Sequence, residues 1–391
     1  MAARRKLVWL VALLALACAA SYRVVGWIVR SSAEETLREA SDQLTINETK
    51  SARERLHWLI WFEPENAEAL LTVGISHHIE KNFREAIRVL ERVPTDSSEF
   101  EEAGLVLARS FLLEHELERA ESVLKECLRR FPRSDPAREE LIQLYMPQHR
   151  RRAAISLLYD RWSHFPDDLS VLKSLLLALV EPLTPQGPSI YFATVNSRHS
   201  GQGSVVLAMA RMAALLGEEE RADRFFEQAL ELRPSHLLTQ LLSAEFFWHR
   251  GDHQRARHIV GSMSIMKFDD GDAQSDDRYW ALVAKIREND GELEDAFVAI
   301  QNALEIRPYE YRLLSWKCGL LRKMGRGDEA RNLAARVSHI SDAAENLILL
   351  ANEADLELLT REQCREFARL LKILGYHDQS SGWRVVMEHI N

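Results

Sequence analysis

Phe83-Arg84-Glu85-Ala86-Ile87 and Leu117-Glu118-Arg119-Ala120-Glu121 are the stretches on which the fold turns. They stand 34 residues apart, and each follows a polar turn residue, Asn82 or Glu116, and opens an amphipathic helix. Their shared alanine recurs at the same interval: Ala52, Ala86, Ala120 and Ala154, then Pro188, Ala222 and Ala256. An insertion at residues 271–276 shifts the phase once, and Ala296 and Ala330 resume it. Four residues after each of these positions comes an apolar side chain, from Leu56, Leu90, Leu124 and Leu158 through Phe192, Phe226, Val260 and Ile300 to Ala334. Twelve before them stand mostly small residues, among them Ala40, Gly74, Ala108, Ala210, Ala244, Ala284 and Cys318, and twelve after come Pro64, Pro132, Pro166, Pro234 and Pro308. Small side chains at paired positions let two helices approach closely, apolar ones at i+4 cover the next pair, and proline ends the second helix.

This pattern resembles the tetratricopeptide repeat, a 34-residue helix-turn-helix with small residues at its eighth and twentieth positions and proline near its thirty-second. The resemblance predicts an all-α fold, an α-solenoid in a right-handed superhelix. Units are expected at 33–66, 67–100, 101–134, 135–168 and 169–202 in an N-terminal half. A C-terminal half of 203–236, 237–270, 277–310 and 311–344 follows. The first unit is weak, with Thr36, Glu39 and Gln43 where bulky apolar residues belong, and reads as a cap. The fifth is degenerate: the run Glu181-Pro182-Leu183-Thr184-Pro185-Gln186-Gly187-Pro188 delays its second helix to about Ser189 and marks the break between halves. Residues 345–391 read as a helical cap, with helices at 362–374 and 382–389 joined through Gly375 and Tyr376 and laid on the last unit.

The amino terminus points to a membrane. A basic segment, residues 1–6, precedes the largely apolar residues 7–29, which as one helix would measure about 34 Å and span a hydrocarbon core of ~30 Å. Arg23 lies near the far end, where it can snorkel. A transmembrane signal anchor is the expectation, with the repeats on the extracytoplasmic side. The alternative is a secretory signal cleaved at the small-x-small sites of residues 15–19, leaving a secreted or periplasmic protein. Composition excludes other classes. Gly at 16 and Pro at 11 in 391 residues rule out collagen-like and low-complexity chains, and the net charge of −9 disfavours nucleic acid as a partner. The four cysteines (Cys18, Cys127, Cys318, Cys364) form neither a disulfide framework nor a C-x-x-C pair.

No catalytic signature is present, so neither an enzyme nor a cofactor is expected. His249, His253 and His258 straddle the turn at Gly251 and need not converge on a metal. Adjacent His77 and His78 lie on different faces of one helix. Asp270, Asp272, Gln274 and Asp276 begin like a calcium loop, but Ser275 and Ala281 occupy the positions of its glycine and glutamate, so a solvated insertion is expected. His149-Arg150-Arg151-Arg152 reads as surface charge in a turn, and the Arg-Gly-Asp tripeptides at 250–252 and 326–328 as repeat turns. Cys127 and Cys318 read as small packing residues.

The resemblance implies that a protein or peptide partner lies along the first helices, on the second, fifth, ninth and twelfth positions of each unit. Those positions give Leu71, Ile75, His78, Leu105, Arg109 and Leu112 in an apolar N-terminal stretch. In the C-terminal half they give Arg211, Glu245, Trp248, Arg278, Lys285, Arg312 and Arg322, a mostly basic face that suits carboxylates. The carboxylate clamp by which chaperone-binding members hold peptide tails is not matched, since Lys173 is followed by Leu177 where the clamp needs asparagine. The sequence thus reads as a membrane-tethered scaffold or adaptor with no chemistry of its own, or alternatively as a regulatory or assembly subunit of a membrane-associated enzyme or envelope-biogenesis complex. It also looks like envelope-assembly proteins with one span and about nine such units, although the four-cysteine zinc module some of them carry is absent.

Overall fold

The computed structural model describes Val24 and residues 31–148, 150–165, 168–180, 186–198, 201–356 and 358–389. The expected span at 7–29 and the basic residues 1–6 therefore lie outside the described residues, Val24 apart. No helix among the described residues is long and apolar enough to cross a membrane.

These residues form twenty α-helices and one 3-10 turn, Ala273–Ser275. In chain order they are α1 (Ala33–Thr45), α2 (Thr49–Phe62), α3 (Ala67–Ile79), α4 (Phe83–Leu90), α5 (Phe100–Leu113), α6 (Leu117–Arg130) and α7 (Asp135–Tyr145). There follow α8 (Arg151–His164), α9 (Leu169–Val180), α10 (Gln186–Arg198), α11 (Gly203–Leu215), α12 (Glu219–Leu232), α13 (Leu237–Arg250) and α14 (His253–Met263). The last are α15 (Asp277–Asn289), α16 (Leu293–Ile306), α17 (Tyr311–Lys323), α18 (Gly327–Glu353), α19 (Arg361–Ile373) and α20 (His377–His389). They divide into two compact units, residues 1–141 and 142–391, a boundary earlier than the expected break at 202.

The small-residue register holds in both units. Ala52, Ala86, Ala120, Ala154, Ala222, Ala256 and Ala296 are each fully buried, as are Ala40, Ala108, Ala210, Ala244 and Ala284 twelve residues before. A methyl group on Gly74 would lie 2.3 Å from Leu90 Cδ2, so that crossing admits only hydrogen. Leu56, Leu90, Leu124, Leu158, Phe192, Phe226, Val260 and Ile300 are all buried, each contributing roughly 1.5–3 kcal/mol of transfer free energy. One further position repeats. The residue between the two helices of a hairpin is left-handed at Asn47, Lys81 and His115 in the first unit and at Gly217, Gly251, Gly291 and Gly325 in the second.

The first unit stacks α1 to α6 pairwise, and exposed ion pairs cross from one hairpin to the next: Arg53 with Glu80 at 2.9 Å, Arg84 with Glu114 at 3.2 Å and Arg109 with Glu140 at 2.7 Å. Such pairs are each worth about 0–1 kcal/mol, so the buried face carries the stacking. In α1 only Leu37 and Ala40 are buried, in keeping with its weak apolar pattern.

The second unit departs from expectation in four places. α10 begins at Gln186, three residues earlier than expected, because Pro188 is tolerated in a first helical turn. α18 does not end near 344 but continues to Glu353. Asp342 stands where Pro308 and its equivalents end the other second helices, and nothing between Asp328 and Glu353 breaks a helix. α20 starts at His377 rather than 382. With α19 it forms a further hairpin of the same kind: Ala368 and Ser380 are twelve apart and buried, Ser380 Oγ donates to the Ala368 carbonyl at 2.6 Å, and Gly375 between the helices has φ +82°.

The fourth departure is where this last hairpin goes. It packs on the end of α18 through Ala343, Leu347 and Ala351, and also on Leu172, Leu176 and Val180 of α9. Gly382 meets Trp162 of α8 so closely that a methyl group there would lie 2.5 Å from the indole and 2.9 Å from Leu172. Gln379 Nε2 donates to the Tyr159 hydroxyl at 2.7 Å, across 220 residues of chain. Burial at this contact, only partly offset by that hydrogen bond, pushes the Tyr159 phenol up to about 12. The second unit therefore closes on itself, and its last hairpin seals two faces rather than only the one before it.

Candidate binding surface

Stacking of α11, α13 and α15 brings Arg211, Glu245, His249 and Lys285 near one another, with Arg151 of α8 close to Arg211. Arg211 on α11 is half-buried, and its guanidinium is pulled down to about 10, first by burial and then by the nearby charges of Arg278 and Arg151, with Glu245 opposing. Lys285 on α15 is also lowered by burial despite Glu245. Its ammonium donates to His249 Nε2 at 3.2 Å, and burial together with that ammonium holds the imidazole below its usual pKa and so neutral near pH 7. Beside this row lies a cavity of about 380 Å³ between the ends of α11 and α13, floored by Phe226, Phe246 and Leu242 and rimmed by Arg211, Glu245 and His249. Phe226 and Phe246 stack at 4.6 Å. The arrangement combines an apolar socket with cations of reduced solvation, which suits an apolar side chain flanked by a carboxylate.

The end of the basic run and the end of the acidic insertion, read as separate segments, meet. Arg152 makes a two-pronged contact with Asp277 at 2.5 and 3.1 Å and reaches Asp276 at 3.4 Å. Asp276 caps α15 and holds Arg278 at 2.6 Å. Asp270 likewise accepts from the Leu237 backbone N–H at 2.6 Å at the start of α13. Gly271, Asp272, Gln274 and Ser275 of the insertion are exposed, as expected of a solvated segment, and Asp276 is its residue that meets Arg152. His149 lies outside the described residues.

The expected partner-binding residues divide accordingly. Leu71 is buried at 7 % exposure and packs within the first unit, so it does not line a groove. Ile75, Leu105 and Leu112 are half-buried, and Arg109 is exposed in its pair with Glu140. His78 is fixed by a 2.8 Å contact between Nδ1 and Ser110 Oγ, and burial followed by the Arg109 charge lowers its pKa. Trp248 stacks on His253 at 4.3 Å, and Arg278 is neutralised by Asp276, so neither presents as a free anchor. Arg312 and Arg322 are exposed. Among the described residues no group of His, Cys, Asp and Glu is placed to hold a metal. Sequence reasoning missed Phe246 and Arg152. The phenylalanine follows Glu245, the ninth position of its unit, and the signal for the arginine is only its charge.

The family model described as "Tetratricopeptide repeat" matches residues 205–236, the span of α11, α12 and the turn between them. No curated protein sequence matches the chain. Similar solved structures include residues 41 to the end of MamA from Desulfovibrio magneticus RS-1 (16% identity, TM-score 0.35, 45% of this chain and 96% of that one). A tetratricopeptide repeat protein from Parabacteroides merdae ATCC 43184 gives 15% identity and a TM-score of 0.30 over 71% of this chain and 93% of that one. Yeast Tom70 gives 13% identity and 0.33 over 90% and 87%. The secondary structure of the described residues is all-helical and residues 205–236 match a tetratricopeptide repeat; likenesses this distant add nothing about the chain's role.

Proposed function

We propose that the protein is a membrane-tethered scaffold that binds a partner protein through the inward face of its second unit and performs no chemistry of its own. The socket of Phe226, Phe246 and Leu242 beside Arg211 and Lys285 is the observation that carries this reading. It holds an apolar side chain of the partner, with a neighbouring carboxylate on the cations. Residues 7–29 act as the tether, and the repeats lie on the extracytoplasmic side.

The test is crosslinking in native membranes with mass-spectrometric identification of neighbours, run on the natural chain and on Phe246→Ala and Lys285→Glu. Neighbours that disappear with both variants, while thermal melting stays unchanged, support the socket. Recovery of the same neighbours with the same salt sensitivity from both variants defeats it. Extraction of the chain by salt or carbonate, without detergent, defeats the tether.

A further inference from the structure

A second cavity, of about 680 Å³, lies where the second unit closes. It is walled by α8 and α9 on one side, by the turn between α16 and α17 on another, and by α18 and the α19–α20 turn on the rest. Its size is within the roughly 300–1,000 Å³ of small-molecule sites. Four arginines line it, Arg151, Arg152, Arg307 and Arg312, against the single carboxylate of Glu310. In a chain of net charge −9 this is a local reversal of sign. Two of the arginines are paired: Asp277 holds Arg152 at 2.5 Å and stands 3.9 Å from Arg307, which Glu310 holds at 2.9 Å. Arg312 Nε donates to the phenolic oxygen of Tyr311 at 3.2 Å, and Arg312 is exposed. Much of the remaining lining is aliphatic: Ile155, Leu179, Val180, Leu347 and Ile348. Tyr309 completes it, pressed against Gly375, where a methyl group would lie 2.2 Å from the ring.

We infer that this chamber binds a small organic anion with an apolar body, a phosphate monoester or carboxylate on an alkyl or aryl chain. The charged end sits among Arg151, Arg307 and Arg312, and the chain lies along Leu179, Leu347 and Ile348. Guanidinium groups favour such oxyanions because their paired N–H donors match the oxygen spacing. The aliphatic wall discriminates against a bare inorganic ion, which gains nothing from it.

Isothermal titration of the full chain with octyl phosphate, octanoate, octanol and inorganic phosphate tests this. One equivalent of octyl phosphate or octanoate should bind, with octanol and inorganic phosphate each weaker by about tenfold or more. Arg312→Gln should reduce octyl phosphate affinity by about tenfold. Ile348→Trp, which fills the aliphatic side from a partly exposed position, should abolish binding with melting unchanged. Octanol binding as tightly as octyl phosphate overturns the role of the arginines, and inorganic phosphate doing so overturns that of the apolar wall. Full affinity in both variants places the ligand elsewhere and overturns the site.

Discussion

At the scale of single residues, the fold depends on side chains too small to keep two helices apart. Ala222 is fully buried where α11 crosses α12. Ala222→Arg forces a bulky cation between two closely packed helices, and the loss should be about 3–5 kcal/mol. A thermal melt of that variant indistinguishable from the natural protein would show the register to be wrong. Asp276 makes a second, pH-dependent contribution. Burial alone would raise its carboxyl, but Arg278 and then Arg152 more than offset this and hold it below the ordinary aspartate value of 3.8. Its stabilisation is therefore complete above that value and is lost as pH falls through the lower folded one. Denaturant melts of the natural chain and Asp276→Asn should differ at pH 7, with the gap shrinking as pH falls below 3.8. A gap of constant size would remove Asp276 from the account.

At the scale of elements, most of the architecture is legible in the sequence because the hairpin repeats its own constraints. Alanine, an apolar residue at i+4 and a closing proline each mark a position that any unit must fill. The exceptions have local causes. Asp342 in place of proline lets α18 run through what reads as the end of a unit. Residues 345–360 then shift the phase, hiding the fact that Ala368 and Ser380 repeat the small-residue pair. Contacts without a period leave no such trace, and the docking of α20 on α8 is one of them. Gly382 allows that docking, so Gly382→Ala should force Trp162 and Leu172 aside and cost about 1–3 kcal/mol. The loss should appear as faster hydrogen exchange in α8 and α20 while α11 to α14 are unchanged. Uniform acceleration across the second unit would mean that the contact is not local.

At the scale of the whole chain, an open array and a closed one answer differently to truncation. In an open array each repeat contacts only its neighbours, so removing the last hairpin uncovers only the one before it. Here Leu172, Leu176 and Val180 share a buried cluster with Phe367, Leu371 and Trp383. Deleting residues 361–391 should therefore raise hydrogen exchange in α8 and α9 as well as in the end of α18. Protection in 151–180 that survives the deletion would rule the closure out. The candidate binding surfaces are the least legible part of the sequence for the same reason. The register singled out Arg211 and Lys285, each ninth in its unit, but Arg152 enters only because distant helices meet.

That meeting also sets an order of events during synthesis. Tyr159 leaves the ribosome 220 residues before Gln379. At ~5–20 residues per second the interval is roughly 10–45 s. For that time Trp162 and the leucines of α9 await a lid that has not yet been translated, so nascent chains halted short of Gln379 should be the species that chaperones hold and proteases cut.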